Sequence, residues 1–340
     1  MMPDETSKNV LTKAEPGLLE AFGVAWRSMP DKAFFLICLA AWLAFFHFLG
    51  NSTLGYVDTR SLFLWMDYAY GQSADDSHGK LIPFVVAGFL WWKRREILEA
   101  PKRVWWFGMG MVAVALLMHV FGYLIQQTRL SILAFFFGVY GVVGLVWGPA
   151  VLRITFFPFI LFAFCFPLGT LAESMTFPLR MIATKITVFI TGSILGIPIL
   201  QNGAQILDAK GGFQFEVAAA CSGLRSLTAT MALATIHAFV NFQSPWRRIV
   251  LLASAFPLAV SGNVVRLSSI IIVAEAFGQQ AGNFVHDNSL LSLIPYVPAL
   301  GGLFILGWLM EPKKPKPATT TKVDAEHGDF SDPAGERGKA

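Results

Sequence analysis

Long apolar runs separated by short basic or polar stretches occupy the chain from residue 33 to residue 310. Residues 33–49 form the first run long enough to cross a bilayer, whose ~30 Å hydrocarbon core needs roughly 17–25 helical residues. Residues 81–92 are only twelve, but Lys80, Lys93, Arg94 and Arg95 flank them, and such stems reach along lipid and lengthen a short span. Runs at 104–125, 130–147 and 154–168 make five spans, and runs at 222–240, 249–272 and 289–310 follow. The pattern predicts an all-α polytopic membrane protein with about eight transmembrane helices.

The stretches between the runs set the direction of each crossing. Lys93, Arg94, Arg95, Lys102 and Arg103 form the densest early basic loop, and Pro245-Trp246-Arg247-Arg248 forms a second. The positive-inside rule assigns both to the cytoplasm. Residues 171–198 are less apolar, interrupted by Glu173, Arg180 and Lys185. If they crossed, residue 220 would lie in the cytoplasm, and the run at 222–240 could not return Arg247 and Arg248 there. They are therefore expected to lie along the outer surface. Leu179, Ile182, Ile186, Phe189 and Ile190 recur there at helical spacing, with Arg180, Lys185 and Thr191 elsewhere on the wheel. Residues 199–217 alternate loosely around Ala209-Lys210-Gly211-Gly212, with Phe213 and Phe215 two apart, and predict a small extracytoplasmic β-hairpin.

The resulting organisation is a cytoplasmic leader at 1–30, a multi-spanning membrane domain at 31–311 and a disordered cytoplasmic tail at 312–340. Residues 171–220 form an extracytoplasmic interfacial insert within the membrane domain, residues 50–80 read as an external loop, and a short interfacial helix is expected at 18–26. The leader carries Asp4, Glu5 and Glu15 among its lysines, unlike a cleavable signal peptide, so the first span is expected to stay as an anchor.

Composition agrees with this reading: 55% of residues are hydrophobic, 14% are charged and mean hydropathy is +0.57. The net charge of +4 lies in clusters flanking spans rather than along a stripe, which argues against a nucleic-acid partner and names the lipid bilayer instead. Three cysteines, with Cys38 and Cys165 inside apolar runs, give no disulfide framework. His47, His119 and His237 lie in apolar runs without metal-ligand spacing, so neither metal nor cofactor is expected.

Chemistry gathers at one depth. Arg248 to Arg266 is eighteen residues, about 27 Å of helix, so Arg266 emerges near the outer boundary. Cys221 to Asn241 spans about 30 Å and sets the thiol at the same level, while His286 precedes the last span by a few residues. One reading is nucleophilic catalysis: Cys221 attacks a carbonyl, His286 handles its proton and Arg266 donates to the oxyanion. The other is structural: a small packing cysteine, a snorkelling arginine and a loop histidine. Arg225 shares a helical face with Cys221 and either supports a thiolate or snorkels. Asn263, one turn before Arg266, either binds substrate backbone or satisfies a polar spot between helices. Glu216 and His78 each have a supporting role and a structural one open to them.

The motifs resemble those of the exosortase and archaeosortase family of multi-spanning cysteine transpeptidase-like enzymes. The likeness rests on Ser77-His78-Gly79 with Pro83, Phe215-Glu216-Val217, Ala220-Cys221-Ser222-Gly223-Leu224-Arg225-Ser226, Ser244 to Arg248, Asn263-Val264-Val265-Arg266 and His286, and covers most of residues 60–310. It implies that Cys221, Arg266 and His286 are the catalytic set; Ser222, beside the cysteine, is a further supporting candidate. It also implies secreted protein substrates that end in a recognition motif, a transmembrane helix and a basic tail. They would be cut at the outer face of the cytoplasmic (inner) membrane and transferred to an acceptor of the surface polysaccharide pathway. His286 is followed here by Asp287-Asn288-Ser289 rather than by the small residues the family pattern leads one to expect. A transporter or a non-catalytic scaffold for polysaccharide export is the competing class. The spans show no internal repeat, and the polar residues gather at one face rather than at the midplane, which disfavours a transporter.

Overall fold

The computed structural model describes residues 18–53, 57–73, 76–203, 205–216, 224–288, 291 and 296–311. An amphipathic helix, α1 (Leu18–Ser28), occupies the stretch where a short helix is expected and leads into α2 (Lys32–Leu49). The stretch read as an external loop contains α3 (Leu62–Gln72), whose first turn is capped by Ser61 Oγ accepting from Leu64 N. Eleven residues interrupted by Asp67 make a weak signal in sequence, but burial of Leu62 and Tyr70 holds the helix in place. A 3₁₀ turn at Ser77–Lys80 precedes α4 (Ile82–Trp92), α5 (Arg94–Glu99) and α6 (Phe107–Leu124).

Next comes α7 (Thr128–Ile160), continued as a 3₁₀ segment to Cys165. It is broken at Gly148, whose φ of 88° and ψ of 178° are far from helical, and the chain folds back on itself there. Tyr140 Oη donates to Leu152 O at 2.6 Å, and the rings of Phe136 and Phe162 stack at 4.4 Å, contacts that a straight helix could not make. The 38-residue apolar stretch Thr128–Cys165 is thus two antiparallel helices, matching the separate runs at 130–147 and 154–168.

Backbone and polar contacts sort the two ends of this bundle. At the basic end Trp147 Nε1 donates to Pro30 O at 3.0 Å, and Trp105 N donates to Leu145 O at 3.0 Å. At the opposite end Ser52 N donates to Thr128 Oγ1, Arg129 Nε donates to Pro167 O, and the buried Asp76 carboxylate accepts from Leu168 N and Gly169 N at 3.1 and 2.9 Å.

From there α8 (Thr170–Val188) runs into a π-helical turn at Phe189–Ile194. It packs along a later helix, with Ala183, Thr184, Thr187 and Thr191 buried and Ile182, Ile186 and Phe189 exposed. The expected hairpin is instead a three-stranded antiparallel sheet, β1 (Ile199–Asn202), β2 (Gln205–Asp208) and β3 (Gln214–Glu216), in that order. Four residues followed by Gly203 (φ 60°) supply the extra strand, which is too short to show an alternating pattern of its own.

The remaining helices are α9 (Leu224–Asn241), α10 (Pro245–Phe277), α11 (Gln279–Asp287) and α12 (Tyr296–Met310), and α8 packs on α10. At 33 residues α10 is about 50 Å long, well beyond a ~30 Å hydrocarbon core. Its last part carries Leu267, Ile270, Ile271 and Ala274, which form one apolar cluster with Ile206, Phe213 and Phe215 of the sheet. Among the described residues, five stretches are long and apolar enough to span: Lys32–Leu49, Phe107–Leu124, the doubled Thr128–Cys165, Phe177–Ile194 and Pro245–Phe277. Shorter apolar helices at Ile82–Trp92, Leu227–Asn241 and Tyr296–Met310 accompany them, and the whole is an all-α polytopic membrane protein with one small sheet.

Gly148 has no substitute in this architecture. A Cβ there would lie 2.8 Å from Arg103 O, and the backbone conformation is one that glycine alone adopts readily. Gly148→Ala is expected to cost about 1–3 kcal/mol, read as a lowered thermal midpoint of the detergent-purified protein, whereas Gly110→Ala, which meets no atom within 4 Å, leaves it unchanged.

Candidate active site

The site is assembled by the reversal between α10 and α11. Gly278, with φ 87° and ψ 170°, turns the chain back so that α11 lies against the end of α10. Close approach is needed: a Cβ on Gly282 would sit 2.5 Å from Phe215 Cζ and 2.9 Å from Ala274 Cβ. Gln279 then ties α11 to the sheet through both ends of its amide. Its Oε1 accepts from Gln214 N at 2.7 Å and its Nε2 donates to Gln214 O at 3.1 Å.

This reversal carries His286 to Arg266. Arg266 Nη2 donates to the backbone carbonyl of His286 at 3.2 Å, across twenty residues of sequence. The Arg266 Nε–H is shielded from solvent and has no partner among the described residues. The guanidinium is thus anchored at one corner and keeps donors for another acceptor. His286 Nδ1 lies 2.7 Å from Asp287 Oδ1, with the imidazole about one-third exposed and the carboxylate mostly so. A carboxylate at Nδ1 orients the imidazole ring.

The other expected residues occupy these places in the fold. Asn263 is buried one turn before Arg266. Glu216 ends β3, paired with Gln205, two residues beyond the Gln214 that Gln279 clamps. Arg225 lies in the first turn of α9. Cys221 and Ser222 lie outside the described residues, three and two positions before α9 begins. His78 is in the Ser77–Lys80 turn and is brought not to Arg266 but to a cavity of about 430 Å³ shared with Asp76, Leu179, Leu227, Thr228 and Phe256. Among the described residues no cluster of three His, Cys, Asp or Glu side chains could hold a metal ion.

Three contributors escape a reading of the sequence: Asp287, Gln279 and Asp76. Asp287 stands beside the histidine, where it reads only as a departure from a pattern. Gln279 and Asp76 are ordinary polar residues until the backbone groups they serve are known.

A family model for transmembrane exosortases matches residues 65–296 of this chain. The chain belongs to the transmembrane exosortase family. The matched segment begins within α3 and ends at the first residue of α12, so it contains every candidate residue and leaves α1 and α2 outside. No curated protein and no solved structure matches the chain. This exosortase is accordingly a membrane-embedded protein-sorting enzyme of that type.

The platform under the site depends on the turn from β2 to β3. Asp208 accepts from Lys210 N at 3.1 Å and Gly212 N at 2.8 Å, and these two N–H groups hold its carboxyl below the usual carboxylate range. A depressed folded pKa stabilises above the unfolded value of about 3.9 and loses that contribution as pH falls through the folded one. Asp208→Asn is therefore expected to lower the thermal midpoint at pH 7, and the gap from wild type should close as pH drops below about 4. Equal midpoints at pH 7 would show that the turn does not depend on the carboxylate.

Proposed function

We propose that this exosortase is a cysteine peptidase or transpeptidase that cuts the C-terminal sorting signals of secreted proteins at the outer face of the cytoplasmic membrane. The observation that carries the reading is the Arg266–His286 contact, which joins two of the three implied catalytic residues from separate helices. Cys221 attacks the scissile carbonyl as thiolate, and Arg266 donates to the oxyanion that forms. Collapse breaks the C–N bond, and His286 delivers a proton to the leaving amine, giving a thioester on Cys221. A nucleophile from the surface polysaccharide pathway, or water, attacks the thioester and frees the thiol. Asp287 steadies the His286 ring and its positive charge.

Placement follows from the same parts. The basic residues of 93–103 and 245–248 mark the cytoplasmic side, and both termini belong there. Starting from Arg248, α10 reaches Arg266 after about 27 Å, and the sheet cluster lies beyond it. α8 starts at the Asp76-bound Leu168 and Gly169, and Val188 packs with Leu267 to Ala274. The placement of α8 on the outer surface rests on the orientation argument from the basic loops. The cavity that His78, Asp76 and Thr228 share with Leu133, Phe164 and Phe256 combines polar and apolar walls, which suits a substrate segment that passes from water into lipid.

Co-expression with a secreted substrate bearing motif, helix and basic tail tests this proposal. Cys221→Ala is expected to abolish the processed product and Arg266→Ala to lower its rate by roughly 10²–10³-fold. His286→Gln should lower it by roughly 10²–10⁴-fold and Asp287→Asn by less, all at unchanged protein level. Wild-type processing in Cys221→Ala would remove the nucleophile and return the chain to the scaffold class.

A further inference from the structure

A cavity with no catalytic residue in its lining lies at the basic end of the bundle. It has a volume of about 590 Å³, within the range of roughly 300–1,000 Å³ usual for bound small molecules. α1 forms one wall through Phe22, Ala25 and Trp26, while α2, α4, α5 and both arms of the α7 hairpin form the others. The lining is aliphatic and aromatic with two polar exceptions. Thr155 is satisfied, its hydroxyl donating to Val151 O at 2.9 Å, so nothing inside calls for water.

The other exception is Arg94, the one charged side chain in the lining among the described residues. Its guanidinium stacks on Trp91 at 4.4 Å and spends Nη1 on Trp91 O at 3.1 Å. Most of its donors remain. Neighbouring lysines are already engaged: Lys93 with Glu96 at 2.9 Å, Lys102 with the carbonyls of Leu98 and Ala100, and Lys32 with Arg27 O. No carboxylate lines the cavity among the described residues. A dry apolar chamber with a stacked, unneutralised guanidinium, in a protein surrounded by lipid, has the chemistry of a bound amphiphile: hydrocarbon within, anion at Arg94.

We propose that this cavity holds one acyl chain of an anionic phospholipid, with the headgroup phosphate on Arg94 and with α1 closing over the chain. The lipid is a structural ligand that ties α1 and α5 to the α7 hairpin, at the end of the molecule opposite the catalytic residues. The proposal stands apart from the reaction assigned above, since it requires only that the bundle sit in a membrane.

Native mass spectrometry of the full-length, delipidated protein in detergent tests it, with palmitoyl-oleoyl phosphatidylglycerol and the phosphatidylcholine of the same chains as probes. The expected result is one retained phosphatidylglycerol, bound roughly tenfold more tightly than phosphatidylcholine. Arg94→Gln should bring the two lipids level, and Ala87→Phe and Ala25→Trp, which fill the chamber from different walls, should remove retention of both while gel-filtration profiles stay unchanged. Equal binding of the two lipids to wild type, or undiminished binding to both filled variants, would overturn the proposal. Absence of lipid from wild type but its appearance after deletion of residues 1–17 would also overturn it, by assigning the chamber to the chain's own N-terminal segment.

Discussion

The site exists because α10 is longer than a membrane is thick. A 33-residue helix measures about 50 Å against a ~30 Å hydrocarbon core, so part of it must stand in the interface or in water. That surplus carries its own hydrophobic face, Leu267 to Ala274, which cannot be left bare in water. The sheet and α11 cover it, and in covering it they bring His286 back to Arg266. Packing and chemistry are therefore one solution: the residues that bury Phe213 and Phe215 also set the carbonyl that anchors the guanidinium.

Much of this was legible in the chain, for reasons that differ by element. The bilayer imposes one length and one polarity on its helices, so the apolar runs and their basic flanks show where most of them lie. Helical rise is constant, which is why counting from Arg248 put Arg266 near the outer boundary, at the level expected for Cys221, before any contact was known. Residues 130–147 and 154–168 read as separate runs because the charge of Arg153 interrupts the apolar stretch between them.

What resisted reading was short or local. α3 has eleven residues with Asp67 among them, and β1 has four; neither is long enough for a period to emerge. The ring contact between His286 and Asp287 joins adjacent residues, and whether such side chains meet depends on rotamers rather than spacing. The amide of Gln279 was silent because its partners are the backbone N–H and C=O of Gln214, which every residue possesses. Cys221 was read from its motif and lies outside the described residues, so its meeting with this pair is inferred from sequence and family.

The reversal at Gly148 has a meaning for parity. Each crossing changes the side on which the next segment emerges, and the α7 hairpin makes two crossings without a loop between them. Had the same 38 residues stayed a single rod, about 57 Å long, the five spans expected before α9 would be four, an even count where it is now odd. Every later segment, the start of α9 and the whole α10–α11 platform included, would be delivered to the opposite compartment. One residue without a side chain thus decides on which side of the membrane the rest of the enzyme is built.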